Sequence, residues 1–205
     1  LQLKNKLSAM DSFRTAAESD YDKVLREDAL FQYAKLMFDV NNDINPFYAY
    51  LDQYPSSKRA DEIHAYIATS YLLAKDYRPA LESLARIRSL TTEMRANYQK
   101  AAYFRGMQLL ERGGYRAASE QFALSLNYAD CNAALANLTR FWLAETFFRI
   151  EDYPRAVQLN EQLLQQAGYD QTDEYPATLY NLAYALYSQQ RYDQAEPWFK
   201  QYLSL

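Results

Sequence analysis

His64 and Cys131 are the chain's single histidine and single cysteine, the side chains best suited to proton transfer, nucleophilic attack or metal binding near neutral pH. Asp61 and Glu62 precede the histidine and could orient it. A zinc site or a carboxylate–histidine–nucleophile set needs partners that the chain does not supply near it. Cys131 follows Asp130 at the predicted start of a helix, where a thiolate is favoured, but no histidine lies near it in sequence. Asp39-x-Asn41-x-Asp43-x-Asn45 alternates oxygen ligands as a calcium loop does. Ile44 then stands in place of the turn glycine, and Tyr50 in place of the bidentate glutamate. Arg112-Gly113-Gly114 lacks the Gly-x-x-x-x-Gly-Lys spacing of a phosphate loop. Asn137-Leu138-Thr139 has the form of a glycosylation triplet, but it falls inside a predicted helix. No catalytic residue, metal site or cofactor is expected, and the chain reads as a non-enzyme.

What the chain holds in quantity is tyrosine, 20 among 205 residues, a side chain with an apolar ring and a polar tip. Tyr180, Tyr184 and Tyr187 are spaced by four and three, so a helix would carry all three on one face. Such a face suits recognition of a peptide or protein. The net charge of −4 offers no basic stripe for nucleic acid. No run approaches about 18 consecutive apolar residues, so no segment of the chain is expected to insert in a membrane.

The elements that must position these rings repeat. Tyr-x-x-Ala recurs at Tyr77–Ala80, Tyr115–Ala118, Tyr153–Ala156 and Tyr192–Ala195, a spacing of 38 or 39 residues and within the range of helical arrays. Apolar residues at three- and four-residue spacing flank each copy. They predict helix pairs over 63–74 and 79–89, 98–111 and 117–126, 138–150 and 154–167, and from 180–187 to 195–203. A degenerate pair is expected over 27–38 and 46–54, with a weaker helical pattern in 1–20 and a polar surface loop at 168–175. A small residue stands 12 positions before each signature alanine: Ala68, Gly106, Ala144 and Ala183. Small residues at both places let two helices approach closely.

These residues resemble the tetratricopeptide-repeat family. The last repeat carries Leu179, Leu182-Ala183, Tyr192, Ala195 and Phe199; the third has Leu143-Ala144, Phe147, Tyr153 and Ala156, with Asn160 where an aromatic is usual. The second keeps Gly106, Tyr115, Ala118 and Phe122, with Arg105 in place of leucine, and the first keeps Ile67-Ala68, Tyr71, Tyr77, Ala80 and Leu84. The resemblance covers residues 22–205, with a period longer than the family's usual length of about 34. It implies an all-α fold, an α-solenoid of antiparallel helix pairs forming a right-handed superhelix, with repeats near 22–57, 58–94, 95–130, 131–172 and 173–205. It further implies a scaffold that binds a peptide or protein partner in its concave groove without catalysis. The lining residues would be Thr69, Leu72, Tyr103, Met107, Phe141, Glu145, Phe148, Arg149, Tyr180, Tyr184 and Tyr187.

Leu51-x-x-Tyr54-Pro55-x-Ser57 is similar to repeat ends in Bacteroidetes-type cell-envelope members of the family, which implies a periplasmic or outer-membrane-associated setting. The apolar ends at Leu1 and Leu205 lead to the expectation of a piece cut from a longer protein, and such ends allow self-association. The alternative reading is a structural spacer or oligomerisation segment of a larger envelope protein.

Overall fold

The computed structural model describes residues 2–19 and 22–205, and every regular element among them is helical. The chain divides into two compact units, Leu1–Leu90 and Thr91–Leu205. In the first, α1 (Gln2–Glu18) packs on α2 (Lys23–Asn41), which pairs with α3 (Asn45–Gln53), and α4 (Ala60–Leu73) pairs with α5 (Tyr77–Leu84). In the second, α6 (Thr92–Glu111) pairs with α7 (Tyr115–Leu126), α8 (Ala133–Arg149) with α9 (Tyr153–Leu164), and α10 (Tyr175–Ser188) with α11 (Tyr192–Leu203). Each signature tyrosine is the first residue of a second helix, so the repeated phrase is a helix start.

Ala68, Ala80, Gly106, Ala118, Ala144, Ala156, Ala183 and Ala195 are all buried. Gly106 has the most stringent requirement: a Cβ there would lie 2.5 Å from Cε1 of Phe122, a ring that is itself completely buried. Asn160 stands seven residues after its tyrosine, as Phe122 does after Tyr115. It too is fully buried, and neither its Oδ1 nor its Nδ2 has a hydrogen-bond partner.

The turns share one device. Asn42, Lys75, Gly113, Glu151 and Gln190 each follow a first helix with φ between 53° and 75°, the left-handed region. The next residue turns its N–H back onto that helix: Asp76 to Tyr71, Gly114 to Leu109, Asp152 to Phe147 and Arg191 to Leu186, at 2.9–3.0 Å. This closure satisfies the helix's last carbonyls and reverses the chain. Only one of the five left-handed positions is glycine.

Three first helices start earlier than the sequence predicts, α6 at Thr92, α8 at Ala133 and α10 at Tyr175 in place of 98, 138 and 180, and two other segments also differ. α5 stops at Leu84, five residues short, because Asp61 on α4 accepts from the Ser89 N–H at 3.3 Å and from Arg88 Nε at 3.2 Å, and Ile87 is buried. The segment 168–175 is not simply a polar surface loop. It contains a 3-10 turn over Tyr169–Gln171; Tyr169 is buried, and its hydroxyl shares a 2.8 Å hydrogen bond with Thr178 Oγ1.

Three substitutions test this packing, with thermal melting as the measurement. Gly106→Ala lowers Tm, since overpacking by about 1–3 kcal/mol outweighs the gain in helix propensity of about 1 kcal/mol; adding Phe122→Leu restores part of the loss. Asn160→Leu raises Tm, because an unpaired buried amide costs about 1–3 kcal/mol. Gln190→Gly also raises it, relieving about 1 kcal/mol of left-handed strain at a non-glycine residue.

Candidate functional site

α10 sorts its side chains by face. Thr178, Leu179, Asn181, Leu182, Ala183, Ala185 and Leu186 are buried, and Tyr180, Tyr184 and Tyr187 stay 41%, 41% and 53% exposed. The three exposed rings form a connected series. Tyr180 stacks on Tyr184 with centroids 6.0 Å apart, and Tyr184 lies 6.4 Å from Tyr187. From α8, Phe148 meets Tyr184 edge-on at 5.5 Å. From α11, Tyr192 meets Tyr187 at 5.1 Å, and Tyr202 lies 5.6 Å from Tyr180. Edge and tilted contacts of this kind add to the apolar area they cover and hold each ring in place.

Beside the rings lies a fixed polar group. Glu145 Oε2 accepts from Asn181 Nδ2 at 2.6 Å, and its Oε1 accepts from Arg149 Nε at 2.7 Å. Arg149 lies 5.9 Å from the centre of the Tyr115 ring, and its pKa is raised, first by a side-chain hydrogen bond with Tyr115 and then by Glu145. The carboxylate is thus anchored from two helices, and half of the arginine side chain remains in solvent.

The residues expected to line a groove divide into three groups. Glu145, Phe148, Arg149, Tyr180, Tyr184 and Tyr187 come together on α8 and α10. Tyr103 and Phe141 do not join an exposed face, because both are only 7% exposed. Tyr103 packs edge-on against Phe104 and tilted against Phe122, and burial pushes its hydroxyl pKa up; Phe141 clusters with Leu163 and Tyr169. Met107 is half-buried against the same core. Thr69 and Leu72 lie on α4 in the first unit, where Thr69 is exposed with its Oγ1 bonded to the Ala65 carbonyl and Leu72 is half-buried. Sequence reasoning missed Asn181, and it assigned Tyr192 to the scaffold although half of that ring is exposed.

His64 is half-buried with an unpartnered Nδ1, and burial followed by Arg86 lowers its pKa. Asp39 pairs with Lys6 at 3.4 Å, and Asp43 accepts from the Asn45 N–H at 2.9 Å. Among the described residues no group of three His, Cys, Asp or Glu could hold a metal ion, and no helix is long and apolar enough to cross a membrane.

Residues 132–205 match the family model of the tetratricopeptide repeat. No curated protein matches the sequence. Among solved structures, the apo form of RapI is 17% identical over 98% of this chain and 69% of its own, with a TM-score of 0.52. BtubC (BKLC) from P. vanneervenii is 14% identical over 98% of this chain and 89% of its own, TM-score 0.47. MamA is 15% identical over 82% and 91%, TM-score 0.44. The chain thus has an all-α, tetratricopeptide-like solenoid fold, and the repeat family itself is matched over residues 132–205.

Proposed function

We propose that the chain is a protein-interaction scaffold that holds a peptide or protein segment against the tyrosine face of α10 and performs no chemistry on it. The observation that carries this reading is the connected series of half-exposed rings at Tyr180, Tyr184 and Tyr187. Rings in a helix that buries its other faces, yet remain in water, lose little further freedom on binding and present much apolar area. Tyrosine and arginine are the side chains that most often dominate binding energy at such surfaces. The Asn181–Glu145–Arg149 group would supply the direction: the carboxylate is held, and the free guanidinium edge can donate to a partner carbonyl or carboxylate. Met107, on α6 of the same unit, would be a secondary contact, whereas Thr69 and Leu72 belong to the first unit and are no part of this face. The resemblance of Leu51 to Ser57 to envelope proteins makes a cell-envelope partner part of the proposal.

A displayed library of random peptides, selected on the chain, tests it. Enriched peptides bind the parent, and Tyr184→Ala together with Tyr187→Ala weakens that binding by at least about tenfold, as expected for loss of dominant interface rings. Tm moves by only a few degrees, because both rings are already half in solvent. Equal binding by parent and double variant would refute the assignment of the face, and a collapse of Tm would show that the rings belong to the core.

A further inference from the structure

A concave feature lies in the same unit, between the first turns of α8 and the segment that joins α9 to α10. It is a cleft of about 330 Å3, large enough for a small ligand or one long side chain. Leu138 and Phe141 of α8 form one wall, and Gly168 and Tyr169 form the other. Phe141, displaced from the tyrosine face, is therefore a wall of this cleft.

The walls are fixed in advance. Gly168, at φ 76°, reverses the chain in the left-handed region. Tyr169 is then held by the Thr178 hydroxyl at 2.8 Å, and Thr172 Oγ1 donates to the Tyr169 carbonyl at 2.8 Å. The only charged residue in the lining is Glu174, which precedes α10. No ion pair among the described residues reaches its carboxylate. Its negative charge is felt inside the unit: the hydroxyl pKa values of Tyr103 and Tyr169 are raised first by burial and further by Glu174. The surroundings share its sign. From Ala156 to Gln190 the sequence carries Glu161, Asp170, Asp173 and Glu174 and no lysine or arginine. Arg140, on α8 but outside the lining, is engaged with Asn137, donating from Nη1 to Oδ1 at 2.8 Å.

We propose that this cleft binds an alkyl stem ending in a cation, an ammonium or a guanidinium. The stem lies between Leu138, Phe141 and Tyr169, and the charge meets the Glu174 carboxylate. A carboxylate without a partner at the edge of an apolar, aromatic cleft gains most from a cation that is itself partly desolvated, and aromatic walls favour a cation over a neutral group of the same shape. The site is separate from the tyrosine face, so either can fail without the other.

The test is a titration followed by amide NMR on the chain, with three probes: cadaverine, the capped lysine Nα-acetyl-lysine N-methylamide, and neutral 1-pentanol. Cadaverine shifts the Gly168, Tyr169 and Glu174 resonances and saturates. Glu174→Gln weakens it about tenfold, the loss of one charge-assisted hydrogen bond. Ala134→Leu, an exposed position at the rim, blocks binding with Tm unchanged. The capped lysine separates the sources: binding comparable to cadaverine points to a basic side chain of a peptide, and cadaverine alone points to a free amine, both consistent with the proposed chemistry. The proposal is overturned if neither amine shifts these resonances, if 1-pentanol binds as well as the amines, or if Glu174→Gln leaves the cadaverine affinity unchanged.

Discussion

The close approach of two helices at paired small residues is the contact on which the remaining structure depends. At Ala144 and Ala156, as at Ala183 and Ala195, the side chains are completely or almost completely removed from water. Each methyl contributes little apolar area by itself. What it permits is larger: with the backbones close, Leu143, Val157, Leu182 and Leu186 can interlock in one core at the density that protein interiors require. The pair at Gly106 and Ala118 carries the logic furthest, since there even one methyl is excluded by the Phe122 ring. A bulky side chain at any of these places would act on every contact beyond it.

That constraint also determines where the aromatic rings go. A first helix such as α10 is covered by its own partner on one side and by a preceding pair on another, and α10 packs on α8, α9 and α11. Seven of its side chains are consumed in these contacts. Large rings at the remaining positions meet each other, solvent and the aromatic rings at the edges of α8 and α11. Their tilted and edge-on geometry over Phe148, Tyr184, Tyr187 and Tyr192 follows from this confinement. Asn181 has the complementary task. It sits at a buried position, and its amide is satisfied by Glu145 on α8, so the bond joins two successive first helices and leaves the carboxylate anchored at the edge of the ring surface.

The helix pairs, their order and the eight buried small residues were legible in the sequence because all three depend on spacing and residue size, which the chain displays directly. The left-handed turns were legible only at Gly113. Lys75, Glu151 and Gln190 adopt the same conformation, and nothing in their chemistry announces it; the flanking helices impose the geometry and absorb the strain. Sidedness was harder still. Tyr103 and Phe141 share the general spacing of Tyr180 and Tyr184, but periodicity cannot tell a face turned to a neighbouring helix from one turned to water. The same limit concealed Tyr169: a stretch of Gly, Asp, Gln and Thr reads as solvated, and the buried hydroxyl partner that draws the ring inward, Thr178, stands nine residues away.

Asn160 shows that the family pattern and the physics of a single site can part company. The pattern expects an aromatic there, and the space is fully enclosed. An amide in that place forfeits apolar contact and leaves its own hydrogen-bonding capacity unused. The core tolerates this because stability in a helical array is distributed: each pair contributes its own term and its interfaces with neighbours, so one weak position lowers the total without dissolving the register. The register is maintained by the packing of α8 on α9, where Ala144 and Ala156 are both completely buried. A repeat can therefore lack the ring that the pattern expects and keep its place in the array, provided that the small residues which set the distance between its helices are present.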